Sequence, residues 1–120
     1  EFNYENSITI SSSEFNKICT NMKEFGSDMI IRVKEKEVEF IVDSEIAGSI
    51  ILYESASVTL AIQQELEQNF SVKFLSMFTK ATPLTDFVKI ELADSHPLRI
   101  TFKFGDSDYI RFYLAPKVES

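Results

Sequence analysis

The chain has 120 residues, the length of one domain, and its composition (44% hydrophobic, 26% charged) is that of an ordinary globular protein. This composition excludes a disordered tail, a collagen-like repeat and a disulfide scaffold. Nineteen acidic against twelve basic residues give a net charge of −7, which disfavours binding to nucleic acid by charge alone.

The first half of the chain predicts a strand, a helix and three further strands. Apolar and polar residues alternate over the first ten positions, as in a strand with one buried face. Ser11 and Glu14 then form a capping-box pattern, and the apolar residues that follow recur at intervals of three and four: Phe15, Ile18, Cys19, Met22 and Phe25. Runs rich in branched residues predict strands at Met29–Val33, Val38–Val42 and Ser49–Tyr53, with a turn at Asp43–Gly48 between the last two.

The second half repeats this order. Val58, Leu60 and Ile62 alternate as a strand, and Leu66–Phe70 is either a second strand or a bent continuation of the first. Ser71 is positioned to cap a second helix, which Pro83 ends, with apolar residues at Val72, Phe74, Leu75 and Phe78. Three more strands are predicted at Phe87–Leu92, Leu98–Phe104 and Tyr109–Leu114.

A shift of 59 residues places Phe15 on Phe74 and Cys19 on Phe78, so the strand–helix–three-strand unit occurs twice. We therefore predict one α+β domain with antiparallel sheets and both helices on one sheet face. On periodicity alone, a pseudo-symmetric fold without functional meaning explains the repetition equally well.

Charge is distributed unevenly along the chain. No acidic residue occurs from Asn69 to Thr85, where Lys73 and Lys80 give a charge of +2; since the whole chain carries −7, the remainder carries −9. The two lysines are seven positions apart and are predicted to share one helix face, opposite Phe74 and Phe78. A solvated face is the more common explanation for two lysines, and a basic binding surface is the alternative.

The sequence offers little support for catalysis. His96 is the only histidine, and its neighbours Asp94 and Ser95 form a turn with it before Pro97 more readily than a catalytic triad. Cys19 is the only cysteine; it cannot form an internal disulfide, which indicates a reducing compartment. No second cysteine or histidine lies at metal-ligand spacing, and no apolar run approaches the ~20 residues of a membrane span. We predict no enzymatic activity, metal, cofactor or membrane partner.

Two segments suggest surfaces for other proteins. Four apolar residues run consecutively from Ile50 to Tyr53, which fits either an interior strand or an edge strand completed by another chain. The last predicted strand leads into an extended apolar segment that turns at Pro116. Such a segment is either a frayed terminus or one wall of a shallow pocket for a partner's side chains.

Two short motifs carry a resemblance to a known family. They are Phe78–Leu84 (Phe-Thr-Lys-Ala-Thr-Pro-Leu) and Tyr113–Lys117 (Tyr-Leu-Ala-Pro-Lys). Ser13-Glu14-Phe15 and Ile18-Cys19 in the first helix, and Pro97-Leu98 before the penultimate strand, fit the same family. From Tyr4 to Val118 the chain resembles, in order along the sequence, the C-terminal half of the eukaryotic sliding clamps, the proliferating cell nuclear antigen family.

The resemblance implies a DNA polymerase processivity factor in the nucleus. In this family, a homotrimeric ring of six such domains, two per subunit, encircles duplex DNA, with helices lining the hole and sheets forming the outer wall. A clamp loader places the ring on DNA, and the ring tethers DNA polymerases and repair proteins through a short peptide motif. Because a ring needs no high affinity for DNA, a net acidic chain with a thin basic lining fits this function. Residues 1–120 would be the C-terminal domain, with the first domain and its linker absent.

The resemblance also implies three sets of site residues. Helix positions that face DNA correspond to Lys17, Thr20, Lys73 and Lys80, and many members have arginine where this chain has Thr20. The strand that pairs with the next subunit corresponds to Gly48, Ser49, Ile50, Ile51, Leu52 and Tyr53, and the connection after Tyr53 is shorter than usual. The pocket for the partner peptide corresponds to Pro97, Tyr113, Leu114, Ala115, Pro116 and Val118. The alternative is a standalone or diverged clamp-fold module, similar to checkpoint clamps, that does not encircle DNA.

Overall fold

The computed structural model describes residues 2–42, 47–81 and 85–118, with the side chain of residue 81 excepted. In chain order the elements are β1 (Asn6–Ser11), α1 (Ser12–Lys23), β2 (Asp28–Lys34), β3 (Glu37–Val42), β4 (Gly48–Tyr53), β5 (Thr59–Ile62), β6 (Leu66–Ser71), α2 (Val72–Ala81), β7 (Phe87–Leu92), β8 (Leu98–Phe104) and β9 (Asp108–Leu114). Most of the predicted turn at Asp43–Gly48, and the Thr82-Pro83-Leu84 part of the first motif, lie outside the described residues.

The strands form two antiparallel sheets, and the predicted α+β class is confirmed. The five-stranded sheet has the order β5-β1-β7-β8-β9 and the four-stranded sheet the order β4-β3-β2-β6. The strand that precedes each helix pairs with a strand of the other half: β1 pairs with β7, with Ile8 opposite Ile90, and β6 pairs with β2, with Phe70 opposite Met29. Because each sheet contains strands from both halves, the repeats form one domain with a shared core.

The segment Leu66–Phe70 is a second strand, β6, and not a bent continuation of β5, because the two strands lie in different sheets. β5 pairs with β1, whereas β6 pairs with β2 in the other sheet, so the chain crosses between them after Ile62. The buried side chain of Asn6 compensates for the interrupted ladder. Its Oδ1 accepts hydrogen bonds from the amides of Gln63 (2.9 Å) and Gln64 (3.0 Å), and its Nδ2 donates to the Gln64 carbonyl at 2.8 Å. One side chain thus satisfies three backbone groups at the crossing.

Helix α1 begins as predicted. Ser11 is its N-cap, with Oγ accepting from the amide of Glu14 at 3.1 Å. Four of the five residues of the predicted stripe are buried: Phe15, Ile18, Cys19 and Met22. The prediction for Phe25 is wrong, because the helix ends at Lys23 and the Phe25 side chain is 49% exposed.

Helix α2 turns a different face to the core from the one predicted. Its buried residues are Val72, Leu75, Ser76 and Thr79, whereas Phe74 is 46% exposed. Phe78 is half-buried, and its ring stacks on Phe112 with the centroids 4.4 Å apart. The two helices therefore correspond at a shift of 60 residues, which matches Ser11 with Ser71 and Phe15 with Leu75. The shift of 59 is wrong at this point because it follows the phenylalanines instead of the capping residues.

Candidate DNA-facing surface, subunit edge and peptide pocket

The outer faces of the two helices meet along one seam. Asn16 of α1 lies at the seam, and its Oδ1 is 3.2 Å from Thr79 Oγ1 of α2. Thr20 Oγ1 donates to the same Asn16 oxygen at 3.4 Å. Because Asn16 and Thr20 are both exposed, these contacts lie at the solvent side of the seam, and the exposed surfaces of α1 and α2 are continuous there.

This continuous helix surface carries the four residues that the sequence assigned to DNA. Lys17, Thr20, Lys73 and Lys80 are all exposed. The α1 side is mixed in charge, since Glu14 lies in the first turn and Lys23 in the last. The α2 side has no acidic residue, and neither Lys73 nor Lys80 forms an ion pair with another described residue. The ammonium groups of α2 are thus available to an external anion.

The face that holds Lys73 and Lys80 differs from the predicted one in its apolar content. Phe74, which was predicted to lie on the opposite, buried side, is exposed, and Met77 is exposed as well. The buried positions are taken by Ser76 and Thr79, and Thr79 Oγ1 lies 2.8 Å from the Ser76 carbonyl. The Thr79 hydroxyl is tolerated in the interior because this hydrogen bond satisfies it.

The strand that the sequence assigned to a subunit interface lies at an edge. β4 pairs with β3 on one side and is terminal in the order of described strands, so the interior alternative does not apply. Ile50 and Leu52 pack against the core of this domain, whereas Ile51 and Tyr53 are exposed on the other face. Gly48 and Ser49 are also exposed. The backbone of β4 therefore presents unpaired ladder positions together with two apolar side chains.

An apolar groove of about 440 Å³ runs beside β4. Met22 and Phe25 from the end of α1, together with Ile50, provide its apolar lining. Phe25 lies two residues beyond Lys23, the last residue of α1, and this position explains its exposure. The sequence analysis missed this role because the residue continues the spacing of the buried stripe.

The six residues assigned to a peptide pocket fall into two groups. Pro97, Tyr113 and Leu114 lie together, because Leu98 of β8 is opposite Leu114 of β9 and Arg99 is opposite Tyr113. The segment Ala115–Val118 leaves this place and crosses to the four-stranded sheet. There the Lys117 amide donates to the Asn69 carbonyl at 2.7 Å, and its ammonium group pairs with Asp28. Val118 lies beyond this anchor and is 89% exposed.

A cavity of about 200 Å³ lies where the C-terminal segment meets the four-stranded sheet. Pro116 and Lys117 form one side, and Gln68 and Asn69 form another. Gln68 Oε1 and Asn69 Oδ1 are buried and have no hydrogen-bond partner among the described residues.

The segment before β1 also contacts the surface around Pro97 and Tyr113, which the sequence did not predict. The Tyr4 hydroxyl donates to the Pro97 carbonyl at 2.7 Å, and the ring of Phe2 stacks on His96 with the centroids 3.7 Å apart. Desolvation raises the pKa of Tyr4, and the Arg99 charge partly opposes this shift. The alternation in the sequence places Tyr4 within the first strand, whereas β1 begins at Asn6 and Tyr4 lies before it.

The residues considered for catalysis in the sequence, His96 with its neighbours and Cys19, have structural surroundings in the described part of the chain. His96 Nδ1 lies 2.9 Å from the Asp94 carbonyl within a turn, where Ser95 adopts a positive φ of 62°. Burial raises the pKa of Cys19 to about 12, so its thiol stays protonated at neutral pH. Among the described residues there is no cluster of three or more potential metal ligands, and none of their helices is long and apolar enough to cross a membrane.

Comparison with known proteins identifies the family. The family model "Proliferating cell nuclear antigen, C-terminal domain" matches residues 1–117. Proliferating cell nuclear antigen 2 of Drosophila melanogaster is 36% identical over 114 residues, and proliferating cell nuclear antigen of Caenorhabditis elegans is 31% identical over 116. These alignments cover 92% and 90% of the chain but only 45% and 44% of the two relatives, so the chain spans about half the length of the curated relatives it matches. The match to the C-terminal domain, in a fold with two helices over two antiparallel sheets, shows that the chain belongs to the proliferating cell nuclear antigen family.

Proposed function

We propose that this chain is the C-terminal domain of a sliding clamp, a processivity factor that encircles duplex DNA in the nucleus. The observation that carries the proposal is the continuous helix surface, where Lys17, Thr20, Lys73 and Lys80 are exposed on a chain of net charge −7. Its α2 side is basic and has no acidic residue. The chain makes no chemical change to DNA; it holds other proteins on it.

The small number of lysines fits a topological attachment. A protein that grips DNA by charge needs many phosphate contacts, because each neutralised phosphate adds to a salt-dependent affinity. A closed ring stays on DNA without this affinity, and a few mobile ammonium groups allow it to slide. The acidic remainder of the chain then faces solvent or partner proteins without loss of function.

The ring requires a second domain. Because the chain spans less than half of its relatives, we propose that residues 1–120 follow an N-terminal clamp domain and a linker in a longer subunit. The exposed backbone of β4 would pair with the first domain of the next subunit in a homotrimer. The groove formed by Met22, Phe25 and Ile50 would receive an apolar side chain from that neighbour.

Partner proteins would bind at the end of the five-stranded sheet. Pro97 and Tyr113 are exposed there beside the half-buried Leu114, and Ala115, Pro116 and Val118 extend this apolar surface towards the other sheet. DNA polymerases, repair proteins and the clamp loader would use this pocket in turn, each through a short peptide with an apolar anchor.

The DNA-facing assignment is tested by reversing charge on α2. We expect Lys73→Glu with Lys80→Glu, in the full-length subunit, to reduce DNA synthesis by a polymerase that depends on the loaded clamp. The matched control is Lys34→Glu with Lys36→Glu, which makes the same change in net charge at exposed positions of the β2–β3 turn. Equal activity of both variants at the wild-type level would reject the DNA-facing surface and favour a clamp-fold module that does not encircle DNA.

Ring closure is tested at β4. Ile51→Lys places a charge on the exposed face of the edge strand, where it leaves the domain's own core intact, whereas Ile50 packs against that core. We expect light scattering to show monomers of the full-length variant, and trimers of the control Ala56→Lys, which alters an exposed position beyond the strand. A trimer of Ile51→Lys would reject the role of β4.

A further inference from the structure

We propose that the ion pair between Glu91 and Arg99 is a positioning element of the peptide pocket: it holds Tyr4 and Tyr113 in place as the walls between which a partner's apolar side chain binds. This inference rests on the proposed function of the pocket and assigns it two residues that the sequence did not suggest.

The pair is nearly buried and has two hydrogen bonds. Glu91 of β7 and Arg99 of β8 are directly opposite each other in the five-stranded sheet. Arg99 Nε donates to Glu91 Oε1 at 2.9 Å, and Nη2 donates to Oε2 at 3.0 Å. The Arg99 side chain is 11% exposed and the Glu91 side chain 8%. A parallel pair of hydrogen bonds fixes the plane of the guanidinium group as well as its position.

The fixed guanidinium contacts both walls of the pocket. Its central carbon lies 4.6 Å from the centroid of the Tyr4 ring, at cation–π distance. On the other side, Arg99 is opposite Tyr113 of β9. Hydrogen bonds to Glu91 and, to a smaller extent, to Tyr113 raise the pKa of Arg99. One side chain therefore links β7, β9 and the segment that precedes β1.

Tyr4 depends on this contact more than a residue within a strand would. β1 begins at Asn6, so Tyr4 lies outside the sheet ladder. The contacts described for it are the hydrogen bond to Pro97, the ring of Phe2 and the Arg99 guanidinium. Without the flat cation beneath its ring, the segment would sample more conformations. A peptide would then have to order this wall when it binds, and its affinity would fall.

The test separates positioning from simple stabilisation by removing both charges. Arg99→Leu alone would leave a buried carboxylate whose remaining partner is the exposed Lys89, with Nζ 3.9 Å from Glu91 Oε2. Glu91→Leu with Arg99→Leu instead replaces the Glu91–Arg99 pair by apolar side chains. We expect this double variant of the full-length subunit to stay folded by circular dichroism. Its affinity for a synthetic peptide that carries the apolar anchor of a clamp-binding polymerase should fall about tenfold in calorimetric titration.

The chain contains a matched control in the other sheet. Arg32 of β2 and Glu39 of β3 are also directly opposite each other, with Nη1 and Oε1 3.0 Å apart. Arg32 Nε also donates to Glu67 Oε1 at 2.7 Å, and the Glu67 side chain is half exposed. Arg32→Leu with Glu39→Leu replaces a cross-strand ion pair in the four-stranded sheet and leaves the Glu67 carboxylate in water; we expect peptide affinity to stay unchanged. An equal loss in both double variants would overturn the proposal, because it would indicate a general effect of replacing a cross-strand pair.

Arg99→Lys keeps the inference testable if the double leucine variant fails to fold. Lysine retains a charge for Glu91 but has no plane to stack on Tyr4. We expect a folded protein with weakened peptide binding and altered ring resonances of Tyr4 in NMR spectra. Wild-type affinity in Arg99→Lys would overturn the positioning role.

The two levels of the proposal fail in different ways. If Tyr113→Ala weakens peptide binding about tenfold, as expected of an exposed aromatic anchor, and the Glu91–Arg99 variants do not, then the pocket stands and the positioning role falls. If the wild-type subunit does not bind the peptide at all, the proposed function of the pocket fails first.

Discussion

The two helices occupy equivalent places in the repeat but bury different chemistry. Helix α1 turns Phe15, Ile18, Cys19 and Met22 to the core, whereas the corresponding face of α2 holds Val72, Leu75, Ser76 and Thr79. In α2, the buried Thr79 hydroxyl donates its single proton to the Ser76 carbonyl at 2.8 Å, and Asn16 Oδ1 lies 3.2 Å from the same oxygen. A buried helix face is therefore selected by where the helix begins and by what it packs against, and apolar residues need not fill it.

The difference has a consequence for the outer surface. Because α2 buries two hydroxyl residues, its surplus apolar side chains, Phe74 and Met77, lie outside between Lys73 and Lys80. The outer face of α1 has no comparable apolar pair; Asn16, Lys17 and Thr20 occupy it. The two helices thus present unlike surfaces on either side of one seam.

The largest expected effect contrasts the two phenylalanines that periodicity matched. Phe15→Ala removes a fully buried ring, and we expect it to lower the free energy of unfolding by about 3–5 kcal/mol. Phe74→Ala truncates a ring that is already half in water, and its cost should be about 1 kcal/mol or less. Urea unfolding of the 120-residue chain, followed by circular dichroism, measures both. Equal losses would mean that Phe74 belongs to the core after all.

Strands with one buried face were predictable from the sequence, because alternation at a period of two is a local signal. β1, β2 and β3 alternate over their whole length and lie within a few residues of their predicted places. The family was also identifiable, since its motifs are short and contiguous.

Long-range pairing was not predictable in the same way. Whether β4 lies at an edge depends on which strands neighbour it, and its own residues fit both positions. The contact of Arg99 with Tyr4 joins residues 95 positions apart and exists only because β1 and β8 both pair with β7. The spacing of apolar residues also predicted burial for Phe25 and Phe74, which are exposed. Phe25 lies beyond the end of α1, and the position of the cap at Ser71 turns Phe74 away from the core.

An intermediate effect distinguishes Cys19 of α1 from its counterpart Thr79 of α2. Burial raises the pKa of Cys19 from 9.0 to about 12, so in alkaline solution the unfolded chain releases this proton first. The stabilisation is complete below pH 9 and is lost as the pH rises towards 12. At pH 10 the loss is on the order of 1 kcal/mol.

Urea unfolding at pH 8 and pH 10 tests this difference. Compared with the wild type, Cys19→Ala should lose less stability between the two pH values, because its unfolded chain has no thiol to ionise. Thr79→Ala, altered at the corresponding position, should retain the full pH dependence of the wild type. Identical pH dependence in all three proteins would contradict the burial of the Cys19 thiol.

The smallest expected effect concerns the serines that begin the two helices. Ser11 Oγ accepts from the Glu14 amide at 3.1 Å, whereas Ser71 Oγ lies 3.5 Å from the Phe74 amide, at the limit of a hydrogen bond. Ser11→Ala should therefore cost about 1 kcal/mol of unfolding free energy, and Ser71→Ala only a few tenths. Urea midpoints at constant m-value measure both. A larger loss at Ser71 would show that the cap of α2 is the stronger one in solution. The exposure of Phe74 and Met77 would then originate in the packing of α2 against α1 and not in the way the helix starts.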